Sequence, residues 1–123
     1  MNRLGNTNNR FQGDYRRVLC VCSAGLLRSP TAALVLSSDP YNFNTRAAGL
    51  NKEYALIPVD MVLLTWAHEI VCMEDHQAES IRAMLDPLSP RRIVSLDIPD
   101  SFEYRDEGLM AMIRQRYDQR AAA

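Results

Sequence analysis

Residues Arg17–Thr31 read RVLCVCSAGLLRSPT. Its first six residues, RVLCVC, form a short β-rich apolar run ending in a Ser/Gly loop, the pattern of a strand buried on both faces of a parallel sheet. Ser29-Pro30-Thr31 then opens an apolar helical pattern through Leu36, and Pro30 suits a first helical turn, where its missing N–H costs nothing. Strand, tight loop and helix follow one another directly, with Cys22 and Arg28 at the two ends of the loop and five residues between them.

Asp39-Pro40 stops the first helix, Phe43–Ala48 reads as a weaker strand, and Gly49 begins a loop carrying Asn51, Lys52, Glu53 and Tyr54. Pro58–Ala67 is expected as a second helix and Glu69–Met73 as a third strand. Glu74–Leu85 follows as a third helix with Ile81, Met84 and Leu85 on one face. After Pro87 and Pro90 come a fourth strand over Arg92–Leu96, a loop over Asp97–Tyr104 and a last amphipathic helix over about Asp106–Arg120. Alternating strands and helices with short connections predict an α/β fold, a parallel sheet covered by helices on both faces. Ligands of such sheets bind at the carboxyl ends of the strands, so the loop after Cys22 is expected near Asp97–Asp100.

A loop of this kind has a definite chemistry. Five residues can curl into a cradle whose backbone N–H groups point inward, and the following helix N-terminus adds partial positive charge, which together hold a phosphate-sized oxyanion. The same field favours the thiolate of Cys22, a ready nucleophile. Arg28 offers a planar fork that matches two oxygens of a phosphoryl group. Gly25 permits the positive φ that a curled loop demands. Ser29 is positioned to donate a hydrogen bond to the sulfur and steady it as a leaving group. The expected phosphate-binding set is therefore Ser23, Ala24, Gly25, Leu26, Leu27, Arg28 and Ser29. The plainer reading makes Cys22 a small core residue and Arg28 an exposed residue at a helix start.

The 123 residues allow one domain, and 47% apolar with 24% charged residues is a globular composition that excludes disorder and simple repeats. Residues 1–15, rich in Asn and Gly, read as a flexible leader, and 16–123 as the folded domain. A net charge of −1 gives no broad attraction to nucleic acid or to anionic membrane, so neither is expected as a partner. No apolar run approaches the roughly 20 residues of a membrane span. Three cysteines, an odd count, without a signal-peptide pattern favour a reducing cytoplasm. C-x-C with one distant Cys is poor zinc-site spacing, so Cys20 and Cys72 are read as core thiols and no metal is expected. His68 and His76 flank the third strand without a partner pattern.

VLCVCSAGLLRSPTA (18–32) resembles the phosphate loop of low-molecular-weight phosphotyrosine phosphatases, V-C-x-G-N-x-C-R-S-P. Ala47-Ala48-Gly49 stands where that family has Ser-Ala-Gly, and IVCMED (70–75) is similar to its strand ending in Met-Asp. LDIPDSFEYRDEGL (96–109) resembles its loop with an I-P-D core before the last helix. The resemblance covers most of residues 17–117 and implies a flavodoxin-like doubly wound, four-stranded parallel sheet. It also implies phosphomonoester hydrolysis through a cysteinyl-phosphate without metal or other cofactor, on a phosphorylated protein, phosphotyrosine above all, or on a small phosphomonoester. Cys22 would be the nucleophile, Arg28 the oxyanion clamp and Asp100 the acid. Ala24 and Gly25 depart from the family's Gly-Asn, Leu27 from its second Cys and Ser101 from its Pro. The segment after Gly49 is shorter than the family's, so the chain looks like a shortened member.

Phosphomonoester cleavage needs a carboxylic acid to protonate the leaving oxygen, and the loop after the fourth strand supplies two, Asp97 and Asp100. Asp100 superposes on the family's acid and Asp97 is the alternative. Phe102, Tyr104 and, from the opposite loop, Tyr54 are candidates for the pocket wall. Two other functions stay open: an arsenate reductase on the same fold, which needs resolving cysteines, and a non-catalytic phosphate-binding or phosphocarrier module.

Overall fold

A computed structural model describes residues 15–23, 28–51, 53, 55, 57–98 and 107–121. Four parallel strands alternate with four helices: β1 (Arg17–Cys22), α1 (Arg28–Leu36), β2 (Asn44–Gly49), α2 (Met61–Trp66), β3 (Glu69–Cys72), α3 (Asp75–Met84), β4 (Arg92–Ser95) and α4 (Glu107–Ala121). The sheet order is β2-β1-β3-β4, the doubly wound, flavodoxin-like arrangement. Cys22 aligns with Gly49 of β2, and Val21 aligns with Cys72 of β3.

The continuous apolar run of β1 is explained by burial on both sides. Val18, Cys20 and Cys22 pack with Ala32, Ala33, Val35 and Leu36 of α1 and with Leu109, Ile113 and Tyr117 of α4. Leu19 and Val21 face the other way, into Leu63 and Leu64 of α2, Ala78 and Ile81 of α3, and Cys72. Successive side chains of a strand point to opposite faces, so the two layers of helices divide β1 residue by residue. Each fully buried aliphatic side chain contributes roughly 1.5–3 kcal/mol relative to exposure.

Most expected elements match to within one residue. The second helix starts three residues late, and the cause is local. Asp60 caps it, its carboxylate accepting from the N–H of Leu63 at 2.8 Å, while Pro58 pairs with Gly49 as a strand-like extension beside β2. On the same face the guanidinium of Arg46 lies over the Trp66 ring, 4.3 Å from its centroid. No helix of the described residues is long and apolar enough to cross a membrane.

The sheet order sets the site. From β1 the chain moves outward to β2, then crosses back to β3, so the loops leaving β1 and β3 diverge and open a crevice at their carboxyl ends. Cys22 ends β1, and Met73-Glu74 follows β3 at the same edge.

Candidate functional site

Cys22 and Arg28 are both 3% exposed. Burial of Arg28 overturns the plainer reading of an exposed helix-start residue. It needs compensation, because a buried cation without partners is among the costliest groups in a protein. Its Nη1 donates to Oε2 of Glu74 at 2.9 Å and to the backbone carbonyl of Ile98 at 2.8 Å. Arg28 therefore ties together the carboxyl ends of β1, β3 and β4. The contact with Ile98 brings the segment after β4 beside the Cys22 loop, as the topology predicts.

The sulfur of Cys22 lies 3.2 Å from the hydroxyl of Ser29, which lies 3.4 Å from the carbonyl of Ala48. As a thiol, Cys22 donates to Ser29, which donates to Ala48. As a thiolate, Cys22 can only accept, and the Ser29 hydroxyl has its proton to give to sulfur. The loop start is pinned from the β2 side, where Leu50 N–H donates to the Cys22 carbonyl at 2.9 Å and Asn51 N–H to the Ser23 carbonyl at 2.8 Å. A trans peptide points its C=O and N–H in opposite directions, so the Ser23 N–H faces away from that strand.

Glu74 and Gln77 are the site residues that sequence reasoning missed. Besides Arg28, Oε2 of Glu74 lies 3.4 Å from Nε2 of His76 and 3.5 Å from Nε2 of Gln77. Partial burial pushes the Glu74 carboxyl up, but the Arg28 hydrogen bond and charge, helped by His76, outweigh it and hold it below its ordinary value. Gln77, fully buried, donates from Nε2 to Ser23 Oγ at 3.2 Å. The available signal was positional: an acid directly after the third strand stands at the ligand edge of the sheet.

Asp97 is exposed, in the left-handed backbone region (φ 53°), its carbonyl held by Nη1 of Arg116 at 2.8 Å. Asp100, Phe102, Tyr104, Tyr54 and loop residues Ala24, Gly25, Leu26 and Leu27 lie outside the described residues. The other cysteines are core thiols. Cys20 shares the α1/α4 face with Cys22, and burial, reinforced by Glu69, pushes its thiol far up. Cys72 lies on the opposite face, its thiol pushed up to about 12 by burial. His68 accepts the Arg17 N–H at Nδ1 (3.0 Å), a backbone cap at the opposite edge of the sheet.

The fold and this edge define a flavodoxin-like α/β protein with a cysteine and a buried arginine bracketing the loop after β1. No family model matches the chain, and no curated protein matches it. Solved structures do. The YwlE arginine phosphatase from Geobacillus stearothermophilus is similar with a TM-score of 0.61 at 19% identity, over 87% of this chain and 90% of that one. A YwlE mutant from Bacillus subtilis gives 0.62 at 19% identity, over 85% and 97%. Vibrio vulnificus Wzb in complex with benzylphosphonate gives 0.61 at 19% identity, over 88% and 95%. This chain thus has the fold of these proteins over nearly their whole length.

Proposed function

We propose that this protein is a metal-independent phosphomonoester hydrolase that works through a cysteinyl-phosphate, with a protein phosphotyrosine as substrate. The observation that carries the reading is the joint placement of Cys22, Ser29 and a buried, doubly anchored Arg28 at one strand end. The Cys22 thiolate attacks phosphorus, an S–P bond forms and the P–O bond to the leaving group breaks. Arg28 and the loop amides from Ser23 to Ser29 balance the charge on the non-bridging oxygens. Asp100, with Asp97 as the alternative, gives its proton to the departing oxygen. It then takes one from the water that attacks phosphorus, and the S–P bond breaks to return the thiolate, which Ser29 steadies.

The fold shared with the YwlE arginine phosphatase and with Wzb bound to benzylphosphonate supports phosphoryl chemistry. Arsenate reduction is disfavoured: the resolving thiol it requires would have to be Cys20, sealed in the core, or Cys72, across the sheet. Three free buried thiols support a reducing cytoplasm as the compartment.

The test is turnover of an aryl phosphate with no added metal, inhibited by vanadate, followed by a phosphotyrosine peptide and a phosphoarginine peptide in parallel. Preference for phosphoarginine, whose phosphoryl group is on nitrogen, would overturn the phosphotyrosine and phosphomonoester assignment of the substrate while leaving the cysteinyl-phosphate route. Cys22→Ser should abolish turnover yet retain phosphate binding, because backbone amides and Arg28 make the cradle. Full activity in that variant would refute the covalent mechanism, and phosphate binding without turnover in the wild-type protein would favour a carrier or binding module.

A further inference from the structure

We propose that Gln77 is a positioning residue of this site, setting the start of the phosphate loop through Ser23 while bracing Glu74 against Arg28; the proposal rests on the phosphatase reading above. Gln77 is 0% exposed. A buried primary amide must satisfy one acceptor and two donor hydrogens, and it is costly where they are unmet. Here three partner atoms, two of them on Glu74, meet it. Oε1 accepts from the Glu74 N–H at 2.9 Å; Nε2 donates to Ser23 Oγ at 3.2 Å and, more weakly, to Glu74 Oε2 at 3.5 Å. A backbone N–H can only donate and a carboxylate can only accept, so the chemistry of the partners fixes which end of the amide faces which.

Helix structure alone does not demand this residue. The bond to the Glu74 N–H is one half of a capping box, which glutamate at this position makes equally well. What glutamine adds is its pair of donor hydrogens, and both point at the site. One reaches Ser23, the first residue of the loop, whose carbonyl is already held from the β2 side by Asn51. With both restraints, Ser23 is clamped between the loop after β2 and α3. The other reaches the same carboxylate oxygen that holds Arg28, so a single side chain links the two ends of the Cys22–Arg28 loop. Cradles of backbone amides depend on orientation at the level of tenths of an ångström.

Gln77→Glu separates the two roles, since the new carboxyl preserves the helix start but, while ionised, has no hydrogen to give and faces Glu74. Among the described residues, Arg28 and His76 are the cationic groups in contact with the Glu74 carboxylate that it would face. The expected result is a melting temperature close to wild type with kcat/KM on an aryl phosphate at least about tenfold lower at pH 7, mainly in KM, and a parallel rise in the inhibition constant of inorganic phosphate. The deficit relative to wild type should shrink as pH falls, because the protonated carboxyl regains a donor. Ser23→Ala breaks the same link from the other side and should raise KM several-fold, with the double variant losing less than the product of the single losses. Wild-type kinetics in Gln77→Glu, or a loss that ignores pH and multiplies fully with that of Ser23→Ala, would overturn the proposal while leaving the phosphatase reading intact. Should Gln77→Glu fail to fold, unchanged kinetics in Ser23→Ala overturn it instead. A wild-type protein that neither binds phosphate nor turns over an aryl phosphate removes both readings together.

Discussion

Replacing Glu74 by alanine tests whether Arg28 is held by its carboxylate. Arg28 is 3% exposed, and its Nη1 lies 2.9 Å from Oε2 of Glu74. With about 4 Å between charge centres and an effective dielectric near 20, the attraction is about 4 kcal/mol. Glu74 is 31% exposed, so water screens part of this, and each ion has a desolvation cost to recover. Removing the carboxylate leaves Nη1 with the Ile98 carbonyl. The expected net loss is about 1–3 kcal/mol, below the roughly 3–5 kcal/mol of a fully buried pair broken from one side. For a domain of this size that lowers the melting temperature by roughly 4–12 °C.

In kinetics the unanchored arginine should cost roughly 10–100-fold in kcat/KM on an aryl phosphate. Glu74→Gln, which keeps an acceptor and loses only charge, should fall between alanine and wild type in both measurements. The pH dependence has a definite sign. The folded-state carboxyl sits below its ordinary value of 4.5, so its contribution is present above that pH and disappears as pH falls through the folded value. The acid limb of the stability curve should therefore be shallower in Glu74→Gln. An alanine variant melting within about 1 °C of wild type with unchanged phosphate affinity would refute the anchoring argument.

Four further outcomes are expected. Arg28→Lys should fail kinetically even if folded, because a point charge cannot reproduce a planar fork that is already tied to Glu74 and Ile98; near wild-type kcat/KM would contradict the role. Mild peroxide should inactivate through a sulfenic acid on Cys22 rather than a disulfide, since Cys20 is sealed in the core and Cys72 is across the sheet; a Cys20–Cys22 linkage as the main product by mass spectrometry would reverse this. Asp100→Asn should cost roughly 10²–10⁴-fold on phenyl phosphate and less on p-nitrophenyl phosphate, whereas Asp97→Asn should give a milder, uniform loss; the opposite leaving-group dependence would make Asp97 the acid. Glu69→Gln should lower the melting temperature while leaving phosphate affinity unchanged, and a selective loss of affinity would show that the two ends of β3 are coupled.

The fold was legible because its punctuation is local. Pro30, Asp39-Pro40, Gly49 and the Pro87/Pro90 pair mark boundaries that short-range sterics enforce, and the apolar run of β1 announces a strand covered on both faces. The start of α2 was misread because Pro58 and Val59 extend an apolar pattern across a segment that pairs beside Gly49. In the site, Cys22, Arg28 and Ser29 stand within eight residues and could be read together. Glu74 and Gln77 could not: their partners Arg28 and Ser23 are 46 and 54 positions away, and only the strand order brings them into contact.

The two glutamates that bound β3 show how position decides what a carboxylate does. Glu69, at the amino end, is 1% exposed and lies 3.3 Å from Nη1 of Arg16 and 3.4 Å from Nε of Arg92, and it accepts from the Tyr117 hydroxyl at 2.7 Å. Two flanking arginines and a tyrosine saturate it, and what it gains in exchange for desolvation is geometric: the starts of β1, β3 and β4 are fastened to the last turns of α4. The attraction within such a cluster is largely offset by the desolvation of its charges. Glu74, just past the carboxyl end, has the opposite surroundings. It stays partly in water, and its principal cation is Arg28, the arginine that the proposed function turns toward an oxyanion. Ligands collect at the carboxyl edge of a doubly wound sheet because the loops there diverge, and only there does anchoring an arginine also aim it. One kind of side chain thus fastens the fold as Glu69 at one end of the strand and, on the proposed function, prepares the site as Glu74 at the other.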